Sequence, residues 1–165
     1  MLENIAKEWL RISSNLNIYE IFIIDALYIE IVIIFLLFWK WLFPFINIKA
    51  RTEIDENISV YTIAINALIE EFIFRYLFLV PILIFNPNDN VLLLLVSIIS
   101  SIIFGWIHGN FIYIFTIGLS GFIYCTFFII TFQKYGVMSA IYYVFILHFF
   151  YNYMLKLIKI MYMKF

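Results

Sequence analysis

The chain has 165 residues, of which 66% are hydrophobic, 22% aromatic and only 13% charged. A water-soluble domain is about 45–50% apolar and about 25% charged, so this composition excludes a soluble globule. The net charge of −1 provides no basic stripe for a nucleic-acid groove. Because the apolar residues extend along the whole chain, they predict a multi-pass membrane protein rather than a short cleaved leader.

The predicted fold is an all-α bundle of about five transmembrane helices. Each crossing of a hydrocarbon core about 30 Å thick requires about 20 mostly apolar residues. Residues 1–17 mix charged and apolar side chains, which predicts a short amphipathic helix on the surface. We therefore divide the chain into an N-terminal part, residues 1–57, and a four-helix core, residues 58–165. The five predicted spans run roughly from Ile18 to Phe43, Ile58 to Phe85, Val91 to His108, Phe111 to Phe132 and Val137 to Lys159.

The distribution of Lys and Arg predicts how the bundle is oriented. With five spans, three basic residues lie on one side of the membrane and six on the other. The side with six carries the loop 45–57 and the C-terminus, which we therefore expect in the cytoplasm. The three are Lys7, Arg11 and Lys134, and the six are Lys40, Lys49, Arg51, Lys156, Lys159 and Lys164.

Three charged residues interrupt the second predicted span: Glu70, Glu71 and Arg75. On insertion scales each charge costs at least about 2.5–3.5 kcal/mol in a membrane helix, so intramembrane charges are candidates for a functional site. Glu71 precedes Arg75 by four residues, which favours an ion pair within the helix. Glu70 lies about 100° further round the helix and lacks that partner. Because a buried carboxylate without a full partner can act as a base, Glu70 is the predicted general base.

The only two histidines, His108 and His148, both lie in apolar helices. Phe104 precedes His108 by four residues and Asn152 follows His148 by four, so each pair shares a helix face. Counting a rise of 1.5 Å per residue from the predicted turns brings both histidines and Asn152 to nearly the depth of Glu70. The sequence therefore predicts one polar layer inside the bundle.

Three motifs in this layer are similar to those of the CAAX protease and bacteriocin-processing (CPBP) family. That family includes the type II CAAX prenyl endopeptidases and the Abi-type bacterial membrane proteins. The resemblance covers roughly residues 65–153, and Tyr76 departs from it because the family usually has Gly after the motif Arg. In chain order the motifs are Glu70-Glu71-Phe-Ile-Phe-Arg75 (EExxxR), Phe104-Gly-Trp-Ile-His108 (FxxxH) and His148-Phe-Phe-Tyr-Asn152 (HxxxN).

The resemblance implies an intramembrane endopeptidase that hydrolyses a peptide bond of a CAAX-type substrate or a leader peptide. The expected partners are membrane lipid and a peptide or lipidated protein, the expected location is the plasma membrane of a prokaryote, and no cofactor is expected. Oligomeric state stays open. In the implied mechanism Glu70 and His108 activate a water, His148 and Asn152 stabilise the oxyanion, and Glu71, Arg75 and Phe104 support them.

Two other functions remain open from the sequence. One is a non-catalytic membrane immunity or interaction protein of the same family, in which the polar layer is only a scaffold. The other is a small transporter or channel whose polar layer lines a pathway. A transporter should show related broken helices in its two halves, and the sequence shows no such repeat.

Two other chemistries are weaker predictions. The segment Gly118-Leu-Ser120-Gly121 spells the GxSG of rhomboid serine proteases, and Ser120 with His148 would form a dyad. That dyad leaves the Glu-Glu-Arg motif unexplained, so we predict that these small residues allow close helix packing. Two glutamates and two histidines could also bind zinc, but HExxH is absent and no metal is expected. Cys125 has no acid–base partner at motif spacing and is predicted to be inert.

Overall fold

A computed structural model describes residues 1–17, 19–21, 23, 24, 26–28, 30, 31, 34, 58–109 and 111–162. These residues contain helices and no strands, which confirms the predicted all-α bundle. The described residues between 19 and 34 are all helical. The other elements are α1 (Leu2–Ser14), α2 (Val60–Glu71), a π-helical turn (Phe72–Tyr76), α3 (Leu77–Phe85), α4 (Asn90–Ile107), α5 (Phe111–Phe115), α6 (Ile117–Tyr135) and α7 (Val137–Tyr162).

Three helical segments in the described part of the chain are long and apolar enough to cross a membrane: Asn90–Ile107, Tyr113–Tyr135 and Val137–Leu157. They correspond to the last three predicted spans, and the chain is an integral membrane protein. The second predicted span is helical from Val60 to Phe85, but the π turn divides it into shorter helices. Most of the first predicted span and the loop 45–57 lie outside the described residues.

Helix α6 forms the centre of the bundle. All eight residues from Tyr124 to Thr131 are buried, which is typical of a helix covered by protein on every side. Helices α3, α4 and α7 pack around it through buried side chains that include Leu79, Leu93 and Val144. The α2 segment lies against α7, so the motif residues of α2, α4 and α7 face a common interior.

Glycines allow α4 to approach the α5–α6 segment closely. A Cβ atom on Gly105 would lie 2.7 Å from the Ile114 Cα, and one on Gly118 would lie 2.9 Å from the Ser101 carbonyl oxygen. The predicted packing role of the GxSG segment is thus consistent with the contacts of Gly118. The predicted span over 111–132 corresponds to the apolar segment Tyr113–Tyr135, and a turn at Thr116 divides this segment into α5 and α6. The Thr116 carbonyl accepts a hydrogen bond from the Tyr28 hydroxyl.

The amphipathic helix α1 packs on the bundle through Trp9. The Trp9 indole N–H donates to the Thr126 hydroxyl over 3.2 Å, and its ring stacks on Phe122 with centroids 5.6 Å apart. At the end of α6 the Lys134 ammonium group donates to the Ser14 carbonyl over 2.7 Å. Lys134 therefore lies at the same end of the bundle as the C-terminal end of α1.

The Gly105 contact gives a test of the fold. Gly105→Ala should lower the free energy of unfolding by about 1–3 kcal/mol, because the added methyl meets backbone atoms that cannot rotate away. Reversible unfolding in detergent micelles measures this change. Ile102→Ala on the exposed side of α4 is the control and should have a smaller effect. An equal loss in the two variants would contradict the close approach.

Candidate active site

The Glu-Glu-Arg motif lies where α2 becomes a π turn. Glu70 and Glu71 are the last two residues of α2, and Arg75 is in the turn. The Leu77 N–H donates to the Phe72 carbonyl five residues earlier, which is the π-helical hydrogen bond. Such turns are rare and frequently occur at functional sites. Sequence patterns did not predict this turn.

The Glu71 carboxylate joins two helices. Its Oε1 atom lies 3.1 Å from Arg75 Nη1 and 2.6 Å from His148 Nδ1. The predicted pairing of Glu71 with Arg75 is therefore present, and both side chains are only 1% exposed. The contact with His148 was not predicted, because the sequence assigned Glu71 to Arg75 alone. It connects the first motif on α2 to the third motif on α7.

Arg75 is packed between two aromatic rings. Its guanidinium carbon lies 4.6 Å from the Phe104 ring centroid and 5.6 Å from that of Tyr124. Its Nη2 atom donates to the Gly121 carbonyl over 3.4 Å. Contacts between a cation and ring faces are favourable and strengthen when water is excluded. They stabilise a buried charge whose Nε has no hydrogen-bond partner among the described residues.

Glu70 faces both histidines. Its Oε2 atom lies 3.4 Å from His148 Nε2 and 3.9 Å from His108 Nε2. The predicted convergence of these three residues at one depth is therefore found in the structure. Glu70 and His108 are 27% and 29% exposed, whereas His148 is 4% exposed. A polar separation near 3.9 Å is too long for a direct hydrogen bond and suits a bridging water.

The partners of the two imidazoles indicate their tautomers. His108 Nδ1 lies 2.7 Å from the Phe104 carbonyl oxygen, which can only accept, so Nδ1 carries a proton. In neutral His108 the Nε2 atom is then an acceptor directed toward Glu70. An ionised carboxylate also can only accept, so beside the ionised Glu71 the His148 Nδ1 atom carries a proton and donates it. The Phe104 ring packs edge-on against both imidazoles, with centroid distances of 4.7 Å to His108 and 5.8 Å to His148.

Two other sequence candidates lie outside this network. Asn152 is one turn beyond His148 on α7 and is half-buried, but its amide has no hydrogen bond to a described residue. The Ser120 hydroxyl donates to the Ile117 carbonyl over 2.6 Å within α6. Ser120 therefore does not pair with His148, and the structure gives no support to a rhomboid-type dyad. Cys125 is fully buried in the core.

Sequence reasoning missed two residues that contact the motifs, Tyr124 and Ser100. The Tyr124 ring lies 5.5 Å from the His148 ring, and the Ser100 hydroxyl donates to the Phe74 carbonyl over 2.8 Å. A Cβ atom on Gly121 would lie 3.0 Å from Phe104 Cδ1, so Gly121 leaves room for the ring. The contact of Gly121 agrees with the predicted packing role of the GxSG segment. The available signal for Ser100 was a serine within an apolar helix, which by itself indicates only close packing.

The fold and the site together define a class of protein: a membrane helix bundle with acid–base side chains in its interior. The model of the family described as type II CAAX prenyl endopeptidase Rce1-like matches residues 57–154, more than half of the chain. The chain belongs to this family, which points to a membrane protease with a peptide substrate in a lipid environment. No curated protein and no solved structure gives a significant match to the chain.

The buried ion pair gives a second test. Arg75→Met should lower the free energy of unfolding by about 3–5 kcal/mol, because it leaves the buried Glu71 carboxylate without its cation. Lys7→Met is a matched control: Lys7 pairs with Glu3 at the same four-residue spacing, but both side chains are exposed. The control should lose less than about 1 kcal/mol. Unfolding in mixed micelles compares the two, and equal losses would argue against a structural role for the Arg75 pair.

Proposed function

We propose that the protein is an intramembrane endopeptidase in which Glu70 and His108 activate a water. The observation that carries the proposal is the 3.9 Å separation between Glu70 Oε2 and His108 Nε2. Both atoms are acceptors when Glu70 is ionised and His108 is neutral, so a single water can donate one hydrogen to each. A water held in this way has a lone pair free to attack a carbonyl carbon.

The proposed reaction needs no covalent intermediate with the enzyme. Glu70 takes a proton from the water as the oxygen attacks the scissile carbonyl, and a tetrahedral oxyanion forms. Glu70 then returns the proton to the leaving amine nitrogen as the C–N bond breaks. His108 orients the water through Nε2, because its Nδ1 proton is held by the Phe104 carbonyl.

His148 and Asn152 are the proposed donors to the oxyanion. Since the Nδ1 proton of His148 is donated to Glu71, its Nε2 can donate only when both ring nitrogens are protonated. The proposed role of His148 therefore requires the imidazolium form. The Asn152 amide follows one turn later on α7 and has no competing partner among the described residues. Each oxyanion donor typically contributes about 3 kcal/mol to the stability of the transition state.

We also propose how the core is oriented. Lys156 donates to the Ile58 carbonyl over 2.5 Å at the end of the bundle away from Lys134. This end carries more of the basic residues, so we place it and the C-terminus in the cytoplasm of a prokaryote. The catalytic core comprises residues 58–165, and residues 1–57 supply a surface helix, a first span and a loop. A lipidated C-terminus or a leader peptide would then enter from the cytoplasmic side.

Glu70→Gln should abolish cleavage while the bundle stays folded, because the amide cannot accept the proton of the water. Loss of a general base typically lowers turnover by about 10²–10⁴-fold. Glu8→Gln, an identical change on the exposed surface of α1, is the control and should cleave normally. The assay offers a prenylated CAAX peptide and an unmodified leader peptide to purified protein in liposomes. Retained turnover in Glu70→Gln would remove Glu70 from the mechanism.

Removal of divalent metal should leave cleavage unchanged. A water activated by a carboxylate and an imidazole needs no Lewis acid, whereas a zinc-activated water requires the metal. The test measures turnover and metal content before and after treatment with a chelator. A loss of activity that zinc restores would instead assign Glu70, His108 and His148 as metal ligands.

The alternative is a non-catalytic immunity or interaction protein of the same family. The observation that favours it is the separation of Asn152 from the hydrogen-bonded network among the described residues. The two functions predict different outcomes for Glu70→Gln and His108→Gln in cells. An immunity effect that survives both substitutions supports the scaffold, and an effect that both abolish supports catalysis.

A further inference from the structure

One buried serine of α4 differs from its neighbours in the group to which it donates. Ser97 donates to the Leu93 carbonyl over 2.8 Å, and Ser101 donates to the Ser97 carbonyl over 2.6 Å, both within α4. Ser100 donates outside its helix, to the Phe74 carbonyl over 2.8 Å. All three serines are buried, so burial does not explain the difference. The Ser100 hydrogen bond connects α4 to the π turn.

The π turn sets the rotation of Glu71 relative to the core. Leu79 and Leu83 follow the turn and are buried in the main hydrophobic cluster, which fixes the orientation of α3. One extra residue in a helix turns the preceding side chains by about 100° and moves them by about 1.5 Å along the axis. If the turn became a regular α-helix while Leu79 stayed buried, Glu71 would rotate away from His148. The 2.6 Å contact between Glu71 and His148 therefore depends on the turn.

Hydrogen bonds from outside the helix can stabilise the backbone of a π turn. Its wide ring interrupts the regular ladder of bonds from each N–H to the carbonyl four residues earlier, and side chains that insert into the ladder satisfy the displaced groups. The Phe74 carbonyl lies in the turn and accepts the Ser100 hydrogen bond. Because Phe74 is buried, a carbonyl that lost this donor would find no bulk water to replace it.

We propose that Ser100 is a positioning residue of the site. It stabilises the π turn through its hydrogen bond to the Phe74 carbonyl. The π turn then directs Glu71 toward His148 and leaves Glu70 facing His108. Ser100 touches neither the proposed water nor the substrate. Its effect on geometry is independent of catalysis, whereas its effect on turnover rests on the proposed peptidase function.

The test compares Ser100→Ala with Ser97→Ala. Each variant loses one buried hydroxyl on the same face of α4, but only the first loses the donor to the π turn. One measurement is kcat and KM with the peptide that the unmodified protein cleaves. The other is the proton resonance of His148 Nδ1–H, which a 2.6 Å bond to a carboxylate shifts far downfield. His148→Gln identifies that resonance by removing it.

We expect Ser100→Ala to lower kcat by about ten- to a hundredfold with little change in KM, as misplacement of catalytic groups does. The downfield resonance should disappear or move toward its ordinary position in Ser100→Ala and persist in Ser97→Ala. The proposal is overturned if Ser100→Ala keeps the resonance at its original position, or if Ser97→Ala loses it to the same extent.

Failure of the proposed function and failure of a variant to fold can each be distinguished from failure of this proposal. If the unmodified protein cleaves no peptide, the proposed function fails, and the resonance alone then decides the role of Ser100. If Ser100→Ala does not fold, Ser100→Thr replaces it because threonine keeps the hydroxyl donor. A folded Ser100→Thr protein with the downfield resonance supports the proposal, and one without the resonance overturns it.

Discussion

The arrangement of the site depends on one buried carboxylate, that of Glu71, which contacts both a guanidinium group and an imidazole. Glu71 Oε1 contacts Arg75 within its own helical segment and His148 on α7. A carboxylate removed from water is stable only if it is paired and hydrogen-bonded. Its two partners therefore cannot move apart without exposing an uncompensated charge. This constraint holds α2 and α7 in one register and leaves Glu70, the neighbouring residue, at the edge of the network.

Neighbouring carboxylates thus have different surroundings. Glu71 is 1% exposed and tied to its partners, whereas Glu70 is 27% exposed and faces the histidines across longer distances. A single residue step separates a structural acid from a proposed catalytic one, because adjacent residues of a helix point about 100° apart. The Phe104 ring contacts both groups of side chains. The Arg75 guanidinium lies over the ring, and both imidazoles pack edge-on against it.

Much of the fold follows from the sequence. Apolar length and the turn residues predicted spans over 91–108 and 137–159, and the structure has helices at Asn90–Ile107 and Val137–Tyr162. Helical rise was enough to bring Glu70 and His108 to one depth. The π turn and the Glu71–His148 contact were missed, because a one-residue change in helical register leaves no mark on hydropathy. The turn at Thr116 within the fourth span was also not predicted, and its carbonyl accepts a hydrogen bond from Tyr28, which is distant in the chain.

The attachment of the two ends of the chain has a topological consequence. Lys134 ties the segment after α1 to one end of the bundle, and Lys156 ties the far part of α7 to Ile58 at the other. The C-terminal end of α1 and the far part of α7 are thus held at opposite ends of the helix bundle. In the orientation proposed above, fluorescent or protease-cleavable tags fused to the two termini would face different compartments, which corresponds to an odd number of membrane crossings between them.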